Sequence, residues 1–399
     1  MNIVFLTIGR VNNIEDHAIY TDLLRCFRDN GHGVYIVGPN EKRNGKGTEL
    51  FEENGVNILR VKVGNITRCG IIEKGISTLC IEYQYINAVK KHLSDVSFDF
   101  VMYSTPPITF AKVVEYIKKR DGARSYLLLK DIFPQNAVDI GMMTKHGVKG
   151  VIYKFFRKKE KKLYALSDRI GCMSQANVDY VLKHNPEVPA EKVEICPNSI
   201  ELRDMSITDE ERIKLREKYN IPLDKKVFVY GGNLGKPQGI PFIIECLKSQ
   251  LDNDRAFFLI VGDGTEFPKL QSFFDEAKPR NMKLMKRLPK EDYDRMVSAC
   301  DIGLIFLDHR FTIPNFPSRL LSYMQSGLPV LACTDPNTDI GKVITEGGFG
   351  WWCESNDTAA FCCAVESALG ADHAEMKKKG IEYLKDNYTV EKEYDIILR

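Results

Sequence analysis

Residues 3–37 read IVFLTIGRVNNIEDHAIYTDLLRCFRDNGHGVYIV and contain a complete strand, helix and strand pattern. The apolar run Ile3–Ile8 predicts a buried strand. The segment after it carries apolar side chains at helical spacing, namely Ile19, Leu23, Cys26 and Phe27. Asn30-Gly31 predicts the end of this helix, and Val34–Val37 predicts the next strand. So short a connection requires two parallel strands with a right-handed crossover, which indicates an α/β fold.

The alternation continues along the chain in two series of apolar runs. The first series continues through Phe98–Tyr103, Ser125–Leu129, Arg169–Met173 and Val193–Cys196, and the second comprises Val227–Tyr230, Phe257–Val261, Met282–Met285, Ile302–Leu307 and Val330–Ala332. A polar, charged stretch over 201–225 separates the two series. Continuous apolar runs are typical of parallel strands that are covered on both faces. We therefore predict two Rossmann-like, doubly wound lobes that face a central cleft.

The composition restricts the function classes. The 11 cysteines form no CxxC pair and no zinc-ligand cluster, which favours a reducing compartment. No run of 18 apolar residues occurs, so we expect a cytoplasmic protein that does not span a membrane. Residues 1–200 hold 29 Lys/Arg and 22 Asp/Glu, whereas residues 201–399 hold 27 and 32. This split predicts that the first half faces something anionic and argues against nucleic acid as partner, although ordinary surface variation would also produce it.

Donor-binding candidates follow the strands of the second lobe, because ligands bind at the carboxyl ends of open α/β sheets. The glycine-dense turn after Tyr230 and the next strand end at Val261 offer backbone amides and a cation: Gly232, Asn233, Gly235, Lys236, Gln238, Asp263 and Gly264. These residues could approach a diphosphate. A tight turn that needs glycine for its geometry is the alternative.

A second donor-binding candidate is the segment Pro314–Ser322. Pro317 suits a first helical turn, and Ser318 and Arg319 are predicted to lie at the helix start. Free amides, the positive end of the helix dipole and a guanidinium would then bind a diphosphate together. The alternative is a capped helix with an exposed arginine. Arg287, after the strand that ends at Met285, is a lone cation.

In the first lobe, Asp131 follows an apolar strand and is the candidate catalytic residue. A carboxylate there could orient or deprotonate an acceptor hydroxyl, or it could merely cap the turn. Gly9 and Arg10 follow the first strand, and together with His17 they are the acceptor-side candidates.

The segment Lys145–Lys162 holds eight Lys/Arg and one Glu in a predicted helix. The apolar side chains predicted to pack inward on one side of this helix are Ile152, Phe155, Phe156, Leu163 and Leu166. The cations predicted on the opposite face are Lys154, Arg157, Lys158 and Lys161. Such cations favour peripheral binding to an anionic membrane, whereas a packed helix with a solvated basic face is the alternative.

Five short motifs, in order, resemble those of family 4 glycosyltransferases of the GT-B fold. Asn30–Val34 resembles the GHEV turn of that family, Met173–Asn177 its strand-end serine, and Pro197–Ser199 its PNG turn. Gly232–Gly239 and Pro317–Met324 are similar to the subgroup that makes capsule, O-antigen and exopolysaccharide units. The resemblance spans nearly the whole chain.

The resemblance implies a division of labour between the lobes. Residues 1–200 would bind the acceptor, 201–225 would be a linker, 226–372 would bind the nucleotide sugar, and the helices in 373–399 would return to the first lobe. It adds Leu320 and Ser322 to the donor site, and it implies a nucleotide-sugar substrate with no metal and no other cofactor. The chain departs from the family at Asn233 and Gln238, where Arg and Lys are common, and its paired glutamates fall on Pro314 and Ser322.

These observations lead to one functional hypothesis and two alternatives. We expect a glycosyltransferase that moves a hexose or N-acetylhexosamine from a UDP-sugar to a lipid-linked saccharide, with retention implied by the resemblance. It would act in surface polysaccharide biosynthesis, peripherally on the inner face of the bacterial cell membrane. The alternatives are a nucleotide-sugar epimerase of the same fold and a catalytically degenerate binding partner in a polysaccharide assembly complex.

Overall fold

The computed structural model describes residues 1–67 and 69–399 of the chain. These residues form two compact units. The first unit comprises Met1–Glu201 and Val390–Arg399, and the second comprises Leu202–Thr389. Each unit is built around its own sheet, and the prediction of two α/β lobes is confirmed.

The first unit contains an eight-stranded sheet within the described residues. Its order is β3-β4-β2-β1-β5-β6-β7-β8. All of its neighbouring strands run parallel except the edge pair β3–β4. The strands are β1 (Asn2–Leu6), β2 (Gly33–Glu41), β3 (Glu49–Glu53), β4 (Val56–Val63), β5 (Phe100–Ser104), β6 (Arg124–Leu129), β7 (Arg169–Cys172) and β8 (Val193–Ile195).

Helices cover this sheet because each crossover between parallel strands carries a helix to one of its faces. They are α1 (Ile19–Asp29), α2 (Ile71–His92), α3 (Ala111–Asp121), α4 (Gln135–Asp139), α5 (Gly147–Leu166) and α6 (Gln175–His184). The core of one face joins apolar residues of α1 to residues of the central strands, among them Leu23, Phe27, Phe5 and Met102.

The second unit contains a six-stranded sheet within the described residues, in the order β11-β10-β9-β12-β13-β14. Its paired strands all run parallel. The strands are β9 (Lys226–Asn233), β10 (Ala256–Asp263), β11 (Met282–Lys286), β12 (Ile302–Phe306), β13 (Val330–Thr334) and β14 (Gly350–Glu354). The helices are α7 (Asp209–Lys218), α8 (Ile240–Lys248), α9 (Phe267–Ala277), α10 (Lys290–Ser298), α11 (Arg319–Gln325), α12 (Ile340–Glu346), α13 (Thr358–Gly370) and α14 (His373–Asn387).

The segment that the sequence analysis assigned to a linker belongs to the second unit. Helix α7 begins with a capping box in which Thr208 accepts a hydrogen bond from the amide of Glu211. Arg216 on α7 lies 2.6 Å from the buried carboxylate of Asp301, which precedes β12. Arg212 contacts the other oxygen of Asp301 at 2.6 Å. These ion pairs fix the segment to the second sheet.

The carboxyl-terminal helices divide between the two units. Helix α14 belongs to the second unit, whereas α15 (Val390–Leu398) belongs to the first. Glu393 of α15 lies 3.1 Å from Lys130 at the end of β6, and both side chains are buried. Among residues 1–67 and 69–399, no helix is both long and apolar enough to cross a membrane.

We predict that the Asp301 ion pairs stabilise the second unit. Asp301→Asn should lower the free energy of unfolding by about 3 kcal/mol, because it leaves the buried Arg216 without its charge partner. The neighbouring arginines and the amide of Val227 hold the pKa of Asp301 below its ordinary value despite burial. This stabilisation is therefore complete at neutral pH and is lost as the pH falls through the folded pKa.

Denaturant unfolding measures the free energy of unfolding of Asp301→Asn and of a control variant, Asp292→Asn. Asp292 pairs with Lys218 at 3.1 Å, but both side chains are about half exposed. Its loss should cost no more than about 0.5 kcal/mol. Equal stability of the two variants would contradict the assignment of the 202–225 segment to the second unit.

Candidate active site

The donor-binding candidates of the second unit lie where the parallel strands β9, β10 and β11 end, at the carboxyl edge of the sheet. Gly262 of β10 pairs with Gly232 of β9 and with Lys286 of β11, so these parallel strands end at the same level. The structure therefore brings Gly232, Asn233, Asp263 and Gly264 together at this edge, and Arg287 follows directly after β11.

The glycines at this edge allow the turns after β9 and β10 to pack backbone against backbone. A Cβ atom on Gly262 would lie 2.1 Å from the carbonyl oxygen of Gly232. A Cβ atom on Gly264 would lie 2.4 Å from the carbonyl oxygen of Leu234. Gly232 itself has a φ of +130°, which side chains rarely adopt. These residues are therefore needed for the geometry of the turn, which was the alternative interpretation of the motif.

The two polar residues that replace the family's cations bind each other. The Gln238 Oε1 atom accepts hydrogen bonds from the Asn233 Nδ2 atom at 3.2 Å and from the amide of Gly235 at 3.1 Å. These bonds hold the turn closed. Lys236 is exposed, and it is the cation that this turn supplies.

Arg319 lies against the same turn. Its guanidinium carbon is 4.3 Å from the ring centre of Tyr230, at the end of β9. Its Nη2 atom is 3.2 Å from the position that a Cβ atom on Gly232 would occupy. Among the described residues, the buried Nη1 atom has no hydrogen-bond partner. Because arginine remains charged at any physiological pH, this is a cation with unused donor capacity.

Buried tyrosines support this arrangement, and the sequence analysis missed their role. The Tyr230 hydroxyl donates to the carbonyl of Asn233 at 2.8 Å. The Tyr323 hydroxyl accepts from the amide of Gly231 at 3.3 Å and lies 3.1 Å from the carbonyl of Val229. Tyr323 lies in the Pro317–Met324 motif, but its burial cannot be inferred from the motif alone.

Ser318 and Arg319 lie at the start of their helix, as predicted, whereas Pro317 precedes it. Helix α11 begins at Arg319 and has seven residues, and Ser318 makes no side-chain capping bond. The side chain of Leu320 is buried in the core, so only its backbone could reach a ligand, and Ser322 is half-buried. The guanidinium therefore has a stronger basis as an anion ligand than the helix terminus.

Two further carboxylates at this edge were not predicted as site residues. Asp308, after β12, binds the Arg310 guanidinium at 2.7 and 2.8 Å, and its amide donates to the carbonyl of Pro237 in the glycine-rich turn. Asp335, after β13, accepts backbone hydrogen bonds on Oδ1, whereas its buried Oδ2 has no partner among the described residues. Burial raises the pKa of Asp335 to about 6.

In the first unit, Asp131 lies at the end of β6 as predicted. The Asn136 side-chain amide donates to both of its carboxylate oxygens, at 2.8 and 2.7 Å. Burial raises the pKa of Asp131 to about 6, and the nearby Glu160 adds to this effect, whereas the hydrogen bonds from Asn136 oppose it. A carboxylate with a pKa near 6 and a fixed orientation is suited to accept a proton near neutral pH.

The acceptor-side candidates have different surroundings. Gly9 and Arg10 are exposed after β1, and the amide of Gly9 donates to the Thr7 hydroxyl at 2.9 Å. His17 lies near Asp22 and Glu201, at distances suitable for a metal ion. However, Arg25 already serves as the cation there.

The Arg25 Nη2 atom is 2.6 Å from Asp22, 2.7 Å from Glu201 and 3.2 Å from the His17 ring. His17 therefore lies beside this ion-pair cluster, and its place on the acceptor side stays a prediction.

The basic helix α5 differs from its predicted orientation. Arg157 bonds to the buried Glu160 at 2.6 Å and to the Asn185 side chain at 2.6 Å, so its charge is used within the unit. Lys161 pairs with Glu187 at 2.9 Å. Lys154 and Lys158 are exposed. Ile152 and Phe155, which were predicted to pack inward, are 50% and 42% exposed.

Comparison with solved structures defines the class of fold. The structure of HepE from Anabaena in complex with UDP has a TM-score of 0.68 at 13% identity, covering 100% of this chain and 98% of that one. A structure described as trehalose-6-phosphate from Escherichia coli bound with UDP-2-fluoro glucose has a TM-score of 0.73 at 8% identity, with the same coverage. The fold of the chain is GT-B.

Sequence comparisons define the class of protein. Residues 211–386 match the family described as "Glycosyl transferases group 1". The chain is 25% identical to WbjE of Pseudomonas aeruginosa, named as a glycosyltransferase, over 73% of this chain and 71% of that one. It is 24% identical to WcaI of Escherichia coli, named as a colanic acid biosynthesis glycosyl transferase, over 67% and 63%. The chain carries a group 1 glycosyltransferase domain and is a glycosyltransferase.

We predict that the turn after β9 does not tolerate a side chain at Gly262. Gly262→Ala should lower the free energy of unfolding by about 3 kcal/mol, since the neighbouring atom is backbone and cannot rotate away. Thermal unfolding measures the stability of Gly262→Ala and of a control variant, Gly370→Ala. The control should be unaffected by contacts, because a Cβ atom on Gly370 meets nothing within 4 Å. Wild-type stability of Gly262→Ala would show that the two turns are not packed as described.

Proposed function

We propose that this glycosyltransferase moves a hexose or N-acetylhexosamine from a UDP-sugar to a lipid-linked saccharide in surface polysaccharide biosynthesis, with retention of configuration. The observation that carries the proposal is the guanidinium of Arg319, which lies against the glycine-rich turn with the Nη1 donor unpaired among the described residues. The donor diphosphate would bind there, in the second unit.

A hydrogen-bond donor that is buried without a partner destabilises the protein. A buried donor without a partner costs about 1–3 kcal/mol, and more when the group is charged. An anionic oxygen offers the partner that the protein does not supply. Arginine and phosphate also match in geometry, because two parallel N–H groups can bind two oxygens. The exposed Lys236 and the backbone amides of the turn would add to the same binding site.

The similar proteins support the choice of nucleotide and pathway. Both structures cited above contain a uridine diphosphate group, one as UDP and one as UDP-2-fluoro glucose. WcaI is named for the biosynthesis of colanic acid, a polysaccharide. The glycosyltransferase domain gives the epimerase alternative no support. No metal is part of the proposal, because Arg319 and Lys236 would supply the charge that relieves the diphosphate.

The acceptor would bind to the first unit, with Asp131 as the residue that orients or deprotonates its hydroxyl. Asn136 fixes both oxygens of the carboxylate, so the side chain is already oriented before the acceptor binds. With a pKa of about 6, Asp131 is mostly ionised at neutral pH and still a competent base.

A lipid-linked acceptor requires contact with a membrane surface. The first half of the chain carries the excess of cations, and Lys154 and Lys158 are exposed on α5. We propose peripheral association with the inner face of the cell membrane, through this side of the first unit. Arg157 and Lys161 contribute less than expected because both are engaged in ion pairs.

We predict that Arg319→Ala weakens UDP binding about 10- to 100-fold, the loss expected for a hydrogen bond to a charged group. Calorimetric titration with UDP measures the effect. Arg255→Ala is the matched control, because Arg255 directly precedes β10, at the opposite edge of the same sheet, and pairs with Glu366. The control should bind UDP as the wild type does.

Unchanged UDP affinity in Arg319→Ala, with its melting temperature preserved, would contradict the donor site. UDP binding without sugar transfer to any acceptor would favour the alternative of a degenerate binding partner. Mass spectrometry of products from a set of nucleotide sugars and a membrane extract distinguishes this outcome.

We also predict a pH dependence that reports on Asp131. The transfer rate should rise with pH through about 6, as the carboxylate ionises. Asn136→Ala removes two hydrogen bonds that favour the charged form, so the pKa of Asp131 should rise further and the acidic limb should move to higher pH. The rate profiles of both proteins between pH 5 and 8 test this. An acidic limb that does not move in Asn136→Ala would exclude Asp131 as the titrating group.

A further inference from the structure

Two helices of the first unit expose large apolar side chains to solvent. On α2 these are Ile76, Leu79 and Tyr83, with exposed fractions of 60%, 43% and 57%. On α5 they are Val151, Ile152 and Phe155, with exposed fractions of 67%, 50% and 42%. Each set recurs within one or two helical turns, so it lies on one side of its helix. We call these six residues the apolar face.

The two halves of the apolar face are adjacent. Lys159 on α5 lies 2.8 Å from Glu82 on α2, and Glu82 directly precedes Tyr83. The same ammonium lies 6.0 Å from the ring centre of Phe155. The ion pair with Glu82 explains why Lys159 lies beside the apolar Phe155 and not among the exposed cations. The ion pair therefore places the two exposed sets on neighbouring helices of the first unit.

Cations border this surface. The Lys112 Nζ atom lies 4.4 Å from the Tyr83 ring centre and 2.5 Å from its hydroxyl. Lys154 and Lys158 are exposed on α5, one residue before and three residues after Phe155. An apolar centre with a lysine border and a tyrosine at its margin matches the interface of an anionic bilayer, where acyl chains lie below phosphate groups.

We propose that the apolar face inserts into the acyl boundary of an anionic membrane while Lys112, Lys154 and Lys158 bind lipid phosphates. The lysine border favours an anionic membrane over a second copy of the chain. In a dimer through this surface the lysines of the two copies would face each other and repel. The inference rests on the proposed function in one respect, since a lipid-linked acceptor requires such contact. It extends the membrane contact from the exposed cations Lys154 and Lys158 of α5 to the exposed apolar side chains of α5 and α2.

Single exposed apolar residues are common on protein surfaces and carry no such meaning. Elsewhere in the chain, Ile213 and Leu223 are 45% and 54% exposed, but they lie in the second unit, in and after α7. They provide a matched control for the apolar face, because they offer similar side chains at similar exposure.

Sedimentation with vesicles tests the proposal on the full chain. The vesicles contain phosphatidylglycerol and phosphatidylcholine in equal amounts. Ile152→Ser/Phe155→Ser should bind them at least about tenfold more weakly than the wild type, because two apolar side chains no longer leave water. Ile213→Ser/Leu223→Ser should bind as the wild type does. Equal binding of the two double variants would overturn the proposal.

The cationic border has its own test. Lys154→Gln/Lys158→Gln should lose about tenfold or more in affinity for the same vesicles, since each cation near an anionic surface contributes about fivefold. The wild type should bind vesicles of phosphatidylcholine alone much more weakly. Equal binding to both kinds of vesicle would overturn the assignment of an anionic surface. A dimer in analytical ultracentrifugation that Ile152→Ser/Phe155→Ser converts to a monomer would identify a second copy as the occupant instead.

UDP affinity separates this inference from the proposed function. All four proteins should bind UDP equally, because the altered residues lie outside the donor site. If vesicle binding is unchanged while Arg319→Ala still impairs UDP binding, only the membrane inference fails. If Ile152→Ser/Phe155→Ser loses UDP binding as well, its fold is disturbed. Vesicle binding by Lys154→Gln/Lys158→Gln, which alters only exposed polar side chains, then decides whether this surface contacts the membrane.

Discussion

The proposed donor site depends on the guanidinium of Arg319, which lies beside a glycine-rich turn and has only some of its N–H donors hydrogen-bonded within the described residues. Arg319 rests on the ring of Tyr230, and its Nη1 atom has no partner among the described residues. Gly232 leaves room for the other nitrogen, since a side chain there would begin 3.2 Å from it. A charge held in this way has lost water without gaining a full set of protein partners, so an anion is stabilised when it binds.

Much of the fold could be predicted from the sequence because parallel strands that are buried on both faces leave continuous apolar runs. Strands such as β5 and β10 were found in this way. The edge strands β3 and β14 were missed for the same reason, whereas the edge strands β8 and β11 were predicted, and the inner strand β4 was missed as well. Strand β3 is Glu49–Glu53, whose side chains alternate between half-buried and exposed, and β14 contains two tryptophans but only one buried residue. Neither has the pattern of a central strand.

The residues of the candidate site could be proposed from the sequence, but the contacts between them could not. The positions of Asp131 and Arg319 at strand or helix ends follow from the order of elements. The sequence does not show that Gln238 binds Asn233, or that Asn136 holds Asp131, because these contacts depend on how each turn folds. Helical spacing also cannot tell which side of α5 packs inward when both Phe155 and Phe156 lie on one stripe. Tertiary packing decides that, and it leaves Phe155 exposed.

The most direct measurement is a crystal structure of the protein with UDP bound. We expect a diphosphate oxygen within about 3.2 Å of a guanidinium nitrogen of Arg319, the upper range of such hydrogen bonds. We also expect the diphosphate to lie against the turn at Gly232. UDP bound elsewhere, with the Arg319 guanidinium still without an anionic partner, would contradict this account of the donor site.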